Sequence, residues 1–223
     1  MKTAQNDTRE HILTVGHRLI AQKGFVGVGL AEILQQAGVP KGSFYHYFSS
    51  KEQFGHAVIE RYFDDYVSRL SELFGAAGRS ARERLMAYWQ YLADTQKLDG
   101  CGEQKCLVVK LSAEVADLSE SMRTALLDGY RRVIALIAQC MREGMTDGSL
   151  PARLFPELDA QNLYHLWLGA SLANKLTKDG VPLSVIEAAQ KSPVYKLAVD
   201  WQLALPLHPE YRTLPMVWYI PPL

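Results

Sequence analysis

Apolar residues recur at three- and four-residue intervals along most of this chain, which is the spacing of helices with one buried face. Ile12, Val15, Leu19 and Ile20 form the first stripe. It opens near Asp7, which stands three residues before Glu10 as in a capping box, and it closes at Gly24. A second, short helix is predicted over 30–37, burying Leu30, Ile33, Leu34 and Ala37 and ending at Gly38. Pro40 suits the first turn of a third helix, which ends near Phe48. Ser49 with Glu52 and Ser50 with Gln53 both offer capping boxes for a fourth, whose stripe runs from Phe54 through Val58, Ile59, Tyr62, Phe63, Tyr66 and Leu70 to Leu73. Further helices are predicted at 80–97, 104–116, 119–145, 156–177 and 182–200, with turn signals at Asp99-Gly100, Asp147-Gly148 and Asp179-Gly180. No strand-like alternation and no repeat interrupts them, so the fold class is all-α.

The third helix crowds Phe44, Tyr45, His46, Tyr47 and Phe48 together. Phe44 and Phe48 are four apart, so they share one face and point to a core, while Ser43, Tyr45 and His46 point elsewhere. Joined to the second helix by AGVPKG, this segment has helix-turn-helix spacing. So short a helix has no independent stability. Anchored by its two phenylalanines, it leaves its first turn free to enter a major groove. There Lys41 meets phosphate, Gly42 lets the backbone come close, and Ser43, Tyr45 and His46 reach base edges or backbone. Tyr47 and Lys51, beside the start of the fourth helix, are placed for phosphate.

Composition changes this picture little. Of 223 residues, 48% are hydrophobic and 22% charged, and the formal net charge is zero, so no global basic field argues for nucleic acid. The first 55 residues hold six Lys and Arg against four Asp and Glu, a mild local excess. No leader-like segment and no apolar run of membrane-spanning length occurs, which points to a cytoplasmic chain with no membrane partner. Three cysteines, Cys101, Cys106 and Cys140, read as free thiols, with Cys140 in a core. The six histidines are scattered, so no metal site and no cofactor is expected. From about residue 193 the composition shifts, with six of the ten prolines and a cluster of aromatics. No long helix is expected after about residue 205, and the segment is expected to lie on the surface of the body.

The stretch GVPKGSFYHYFSSKE, with the wider pattern from Gly24 to Glu52, resembles the recognition-helix signature of the TetR family of bacterial repressors. One departure is Val28-Gly29, where that family often has Thr or Ser as a cap and phosphate contact. The resemblance implies a helix-turn-helix domain at 1–50, a helical regulatory and dimerisation domain at 51–200, and here a proline-rich extension at 201–223. It implies a homodimer that grips a palindromic double-stranded DNA operator and is regulated by a small molecule, not an enzyme. The sequence adds its own sign of a dimer seam: Leu163, Leu166, Trp167 and Ala170 form a stripe in DAQNLYHLWLGASLANKL, with Gly169, Ala170 and Ala173 permitting close approach. Intramolecular packing is the competing reading of that stripe.

A second informative stretch is KCLVVKLSAEVADLSESMR, residues 105–123. Cys106 stands near a helix start, beside Lys105 and four before Lys110, all of which favour thiolate. By position alone, Cys106 reads either as a small buried hydrophobe or as a reactive thiol. The stretch is similar to the NemR branch of the same family, whose repressors sense electrophiles and oxidants through a cysteine. That similarity places the sensor at Cys106 and a nearby lysine at Lys175, and allows reversible bonding between the oxidised thiol and the amine. The alternative is a repressor induced by a small apolar or aromatic ligand bound without covalent change. Tyr88, Trp89, Tyr164 and Trp167, with Tyr91 and His165, are candidates for lining its pocket or, equally, for packing.

Overall fold

The computed structural model describes residues 2–97 and 107–177, and every regular element among them is an α-helix. Helices α1 (Lys2–Lys23), α2 (Leu30–Ala37) and α3 (Lys41–Tyr47) precede a long α4 (Lys51–Phe74). Then come α5 (Ala81–Lys97), α6 (Leu107–Val115), α7 (Glu120–Thr146) and α8 (Pro156–Thr177). The expected helix at 182–200, the proline-rich segment, Cys101 and Cys106 lie outside the described residues.

Local chemistry sets the ends. Gly38 closes α2 in the left-handed region at φ 63°, and its N–H and that of Val39 return to the Gln35 and Leu34 carbonyls. Pro40 is the N-cap of α3, one position before the expected first turn. Of the two boxes offered before α4, Ser50 is the cap: its Oγ accepts from the Gln53 N–H at 3.1 Å, and Gln53 Oε1 accepts from the Ser49 N–H. Ser119 caps α7 in the same way through the Met122 N–H. The box expected at Asp7 is not used. Helix α1 begins at Lys2, so Asp7 is interior, and Glu10 instead meets the guanidinium groups of Arg9 and Arg61.

The N-terminal helices close around three rings. Phe44, Phe48 and Phe54 lie with centroids 5.1–5.3 Å apart and are at most 1% exposed. Helix α1 meets them at Gly16, where any Cβ would fall 2.1 Å from Phe54 Cζ. Arg9 lies over the Phe48 ring, His11 Nε2 pairs with the Ala37 carbonyl at 3.1 Å, and Arg61 reaches from α4 to the Glu10 carbonyl and Thr14 hydroxyl.

The remaining helices pack around α4 and α7. The Phe63 ring lies directly on α7 at Gly129, where a Cβ would sit 2.0 Å from it. Tyr66 and Tyr88 join hydroxyls at 3.1 Å in the core, where burial first, and then the neighbouring tyrosines, push the Tyr66 phenol well above its usual range. Cys140 is buried in α7 as expected, its Sγ 3.5 Å from the Ala81 carbonyl.

Helix α8 is rotated relative to the predicted seam. Ala160, Tyr164, Trp167 and Ser171 face inward and are buried, so Trp167 belongs to this chain's own core. The open face carries Leu158, Leu166, Gly169, Leu172 and Leu176 instead. At about 100° per residue this lies a quarter-turn or more from the centre of the predicted stripe. Among the predicted four, Leu166 alone lies on it.

Phe54→Ala removes the ring on which α1, α3 and α4 converge. A loss of about 3–5 kcal/mol is expected in chemical denaturation, with Gly16 left facing a void.

Candidate nucleic-acid interface

The ring anchor decides which side of α3 is free. With Phe44 and Phe48 turned inward, Lys41, Gly42, Tyr45 and His46 stand exposed at the N-terminal end and outer face of the helix, and Ser43 and Tyr47 are half-buried beside them. Tyr45 is 47% exposed, and the Lys41 ammonium lies 5.8 Å from its ring centroid. His46 and Tyr47 meet edge to face. A lysine, a phenol, an imidazole and a hydroxyl are thus grouped on one short surface, with Gly42 leaving the backbone uncovered. The grouping has the donors and acceptors that phosphate and base edges require.

Lys51 is engaged differently from the others. Its Nζ donates to the Phe25 carbonyl at 2.8 Å and stands 4.4 Å over the Phe25 ring, and burial lowers its pKa below the usual lysine range against the pull of Glu52 and Glu114. It holds the turn after α1 as well as standing at the N-terminus of α4. At the start of α2, Gly29 is the N-cap and offers no side-chain bond, and Val28 is fully buried.

Of the sensor pair, Cys106 lies just ahead of the described helix α6. Lys175 is exposed in the last turn of α8. Lys110, singled out for its charge near Cys106, directs its Nζ to the Gln22 carbonyl at 3.4 Å. The candidate pocket residues form two ring contacts: Tyr88, Trp89 and Trp167 in sequence, and Tyr164 with Tyr130. Tyr88, Tyr164 and Trp167 are core residues, and Trp89 is half-buried. His165 lies apart from them, its Nε2 paired with the Tyr130 hydroxyl.

One group on this side escaped the sequence entirely. Glu114 of α6 accepts from the N–H groups of Phe25 at 3.1 Å and Val26 at 2.6 Å. Its partners lie 88 and 89 residues away and are backbone atoms, so no side-chain pattern announces the contact.

Together these features define a helix-turn-helix regulator: a ring-anchored recognition turn on a larger helical body. The chain belongs to the tetR family of bacterial regulatory proteins. That family's pattern matches residues 12–58, and the tetracyclin repressor-like C-terminal domain matches residues 81–189. The HTH-type transcriptional repressor NemR of Escherichia coli (strain K12) is 46% identical over 198 residues, covering 89% of this chain and 99% of that protein. The crystal structure of E. coli NemR in its reduced form superposes with a TM-score of 0.75 at 48% identity, over 80% of this chain and 92% of that one. The chain is therefore a regulator and not an enzyme. A further stretch of 46 residues, 21% of this chain, is 85% identical to the respiratory nitrate reductase 1 beta chain of E. coli and covers 9% of that protein. So small a share transfers no catalytic role. Among the described residues, no helix is long and apolar enough to cross a membrane.

Burial raises the Cys140 thiol to about 11, so at pH 8 about one molecule in a thousand carries its thiolate. In a chromogenic thiol assay of the native chain, Cys140→Ser should leave the fast phase unchanged. Denaturant should release one extra thiol in the parent chain that this variant lacks.

Proposed function

We propose that this chain is a homodimeric transcriptional repressor that holds a palindromic operator and releases it when Cys106 is modified by an electrophile or oxidant. The observation that carries the DNA half is the pairing of buried Phe44 and Phe48 with an exposed Lys41–His46 turn. In this reading residues 1–50 form the head and 51–200 the body. Lys41, Gly42, Ser43, Tyr45, His46, Tyr47 and Lys51 form the DNA-facing set. Lys41, Tyr47 and Lys51 serve phosphate, and Ser43, Tyr45 and His46 serve bases or backbone. A chain of this kind works on DNA in the cytoplasm.

Dimerisation is supported by α8, which is apolar on its outer face as well as its inner one. Leu166 is 40% exposed, Leu172 54% and Leu176 81%, and Gly169 between them has open space where a Cβ would stand. Covering these leucines with a second copy removes apolar surface from water. A two-fold pair then sets two recognition helices about one turn of B-DNA apart, roughly 34–36 Å.

The sensing half rests on the 46% identity to NemR across nearly all of that repressor, together with the Cys106 and Lys175 positions. A Cys106 thiolate adds to an activated alkene by forming an S–C bond, and the resulting carbanion takes a proton from water. With hypochlorous acid the thiolate sulfur takes chlorine and releases hydroxide, and the Lys175 amine then displaces chloride to form an S–N bond and lose a proton. Full switching between bound and free requires the two states to differ by about 5.5 kcal/mol in operator affinity.

The test uses a duplex selected by the reduced chain from random-sequence DNA. N-ethylmaleimide should release it from the parent chain and leave Cys106→Ser bound. Equal release from both would remove Cys106 and favour a non-covalent inducer in the aromatic cluster. In the reduced state, Lys41→Ala should lower the slope of log affinity against log salt by about one, the signature of one lost phosphate contact.

A further inference from the structure

The turn that follows α1 is held from two sides. On one side stands α6, whose Lys110 and Glu114 are four residues apart and so share a face. Lys110 reaches the Gln22 carbonyl, at the negative end of the α1 dipole, and Glu114 takes the next two free N–H groups, those of Phe25 and Val26. On the other side stands α4, whose Lys51 takes the Phe25 carbonyl. The Phe25 ring is buried beneath Lys51 and against Gly55, where a Cβ would come within 2.6 Å of it.

Gly24 completes the seat. Its φ of 83° lies in the left-handed region, and a Cβ there would stand 2.6 Å from Glu114 Oε2. The backbone thus opens a gap that the carboxylate fills. Two amides converge on two oxygens of one charged group, a stronger arrangement than two neutral hydrogen bonds.

We infer that Glu114, seated on the Gly24–Phe25–Val26 backbone with Lys110 behind it, is the positioning residue through which α6 sets the attitude of the DNA-binding head. The inference deepens the proposed function and rests on its DNA-binding half. Helix α6 begins one residue after Cys106 and ends at Val115, so Leu107 and Glu114 are about 10 Å apart along its axis. A displacement at its start carries Glu114 with it, and Glu114 draws the end of α1. Through Phe25 the same displacement reaches Lys51, at the base of the DNA-facing set.

Coupling between two sites is reciprocal, so duplex bound at the head must alter α6. The experiment measures deuterium uptake of residues 107–115 in the full chain, with and without the selected duplex. It then repeats the duplex affinity before and after N-ethylmaleimide. The parent chain should show slower uptake on binding duplex and an affinity ratio in the range common to allosteric proteins, about 5- to 150-fold.

Glu114→Ala should still bind duplex, with both the uptake change and the ratio collapsing to the level of no effect. Gly24→Ala, which puts a methyl where the carboxylate sits, should do the same. Glu114→Gln, with one acceptor oxygen left, should fall between. A duplex-dependent uptake change that survives in Glu114→Ala overturns the inference, and so does its absence from the parent chain. An alanine variant that melts like the parent yet binds no duplex overturns it as well, because Glu114 would then belong to the binding fold itself. An intact uptake change in a parent chain that N-ethylmaleimide does not release leaves this joint standing and removes the thiol reading instead.

Discussion

Helix α3 has seven residues, too few to persist in water on its own, so its direction in space is conferred by what its rings touch. Phe44 and Phe48 give it two points of attachment, and Phe54 from α4 supplies the surface they rest on. Gly16 is the counterpart on α1, because only a residue without Cβ lets Phe54 settle at that depth. The cluster therefore fixes three helices at once. It also fixes which side chains remain outside, since a four-residue spacing inward leaves Lys41, Tyr45 and His46 outward.

The same cluster ties the head to the body. Phe54 belongs to a helix of 24 residues, about 36 Å long, whose far end packs through Tyr66, Leu70 and Phe74 into the regulatory half. A tilt of α4 must carry the rings with it, because a close-packed interior shifts as blocks and does not deform smoothly. Arg61 reinforces the connection by bridging α4 to the Glu10 carbonyl and Thr14 hydroxyl of α1. Two routes consequently lead from body to recognition helix. One is this rigid helix, and the other is the turn after α1 where α6 takes hold.

What was legible in the sequence was what local chemistry writes. Helices α2, α4, α5, α7 and α8 have a strong apolar period and end at glycine, serine or proline, and their predicted spans agree with the structure to a residue or two. The exposed face of α3 followed from one fact, the spacing of two phenylalanines. The Asp7 box failed because a valid local cap competes with simple continuation of the helix, and Lys2–Asn6 contain nothing that forbids a helix. The α8 face failed for a different reason. Leucines, alanines and aromatics surround that helix on all sides, so periodicity cannot say which stripe turns inward. Cys106 could be placed by motif alone, and its surroundings lie outside the described residues.

Glu114 shows a limit of another kind. Its partners are peptide N–H groups, which every residue except proline possesses, so Phe25 and Val26 could change identity without altering the bond. Val26 is 62% exposed, and its side chain has no part in the contact. The information that does reside in sequence is Gly24, whose left-handed backbone both ends α1 and clears room for a carboxylate from 90 residues away. Glutamate suits that room better than its neighbours in chemistry. Glutamine would present an NH2 donor to one of two N–H donors, and aspartate is one methylene shorter. A helix that holds another segment by its backbone transmits position independently of side-chain detail, and such a joint tolerates drift in the turn so long as glycine and carboxylate persist together.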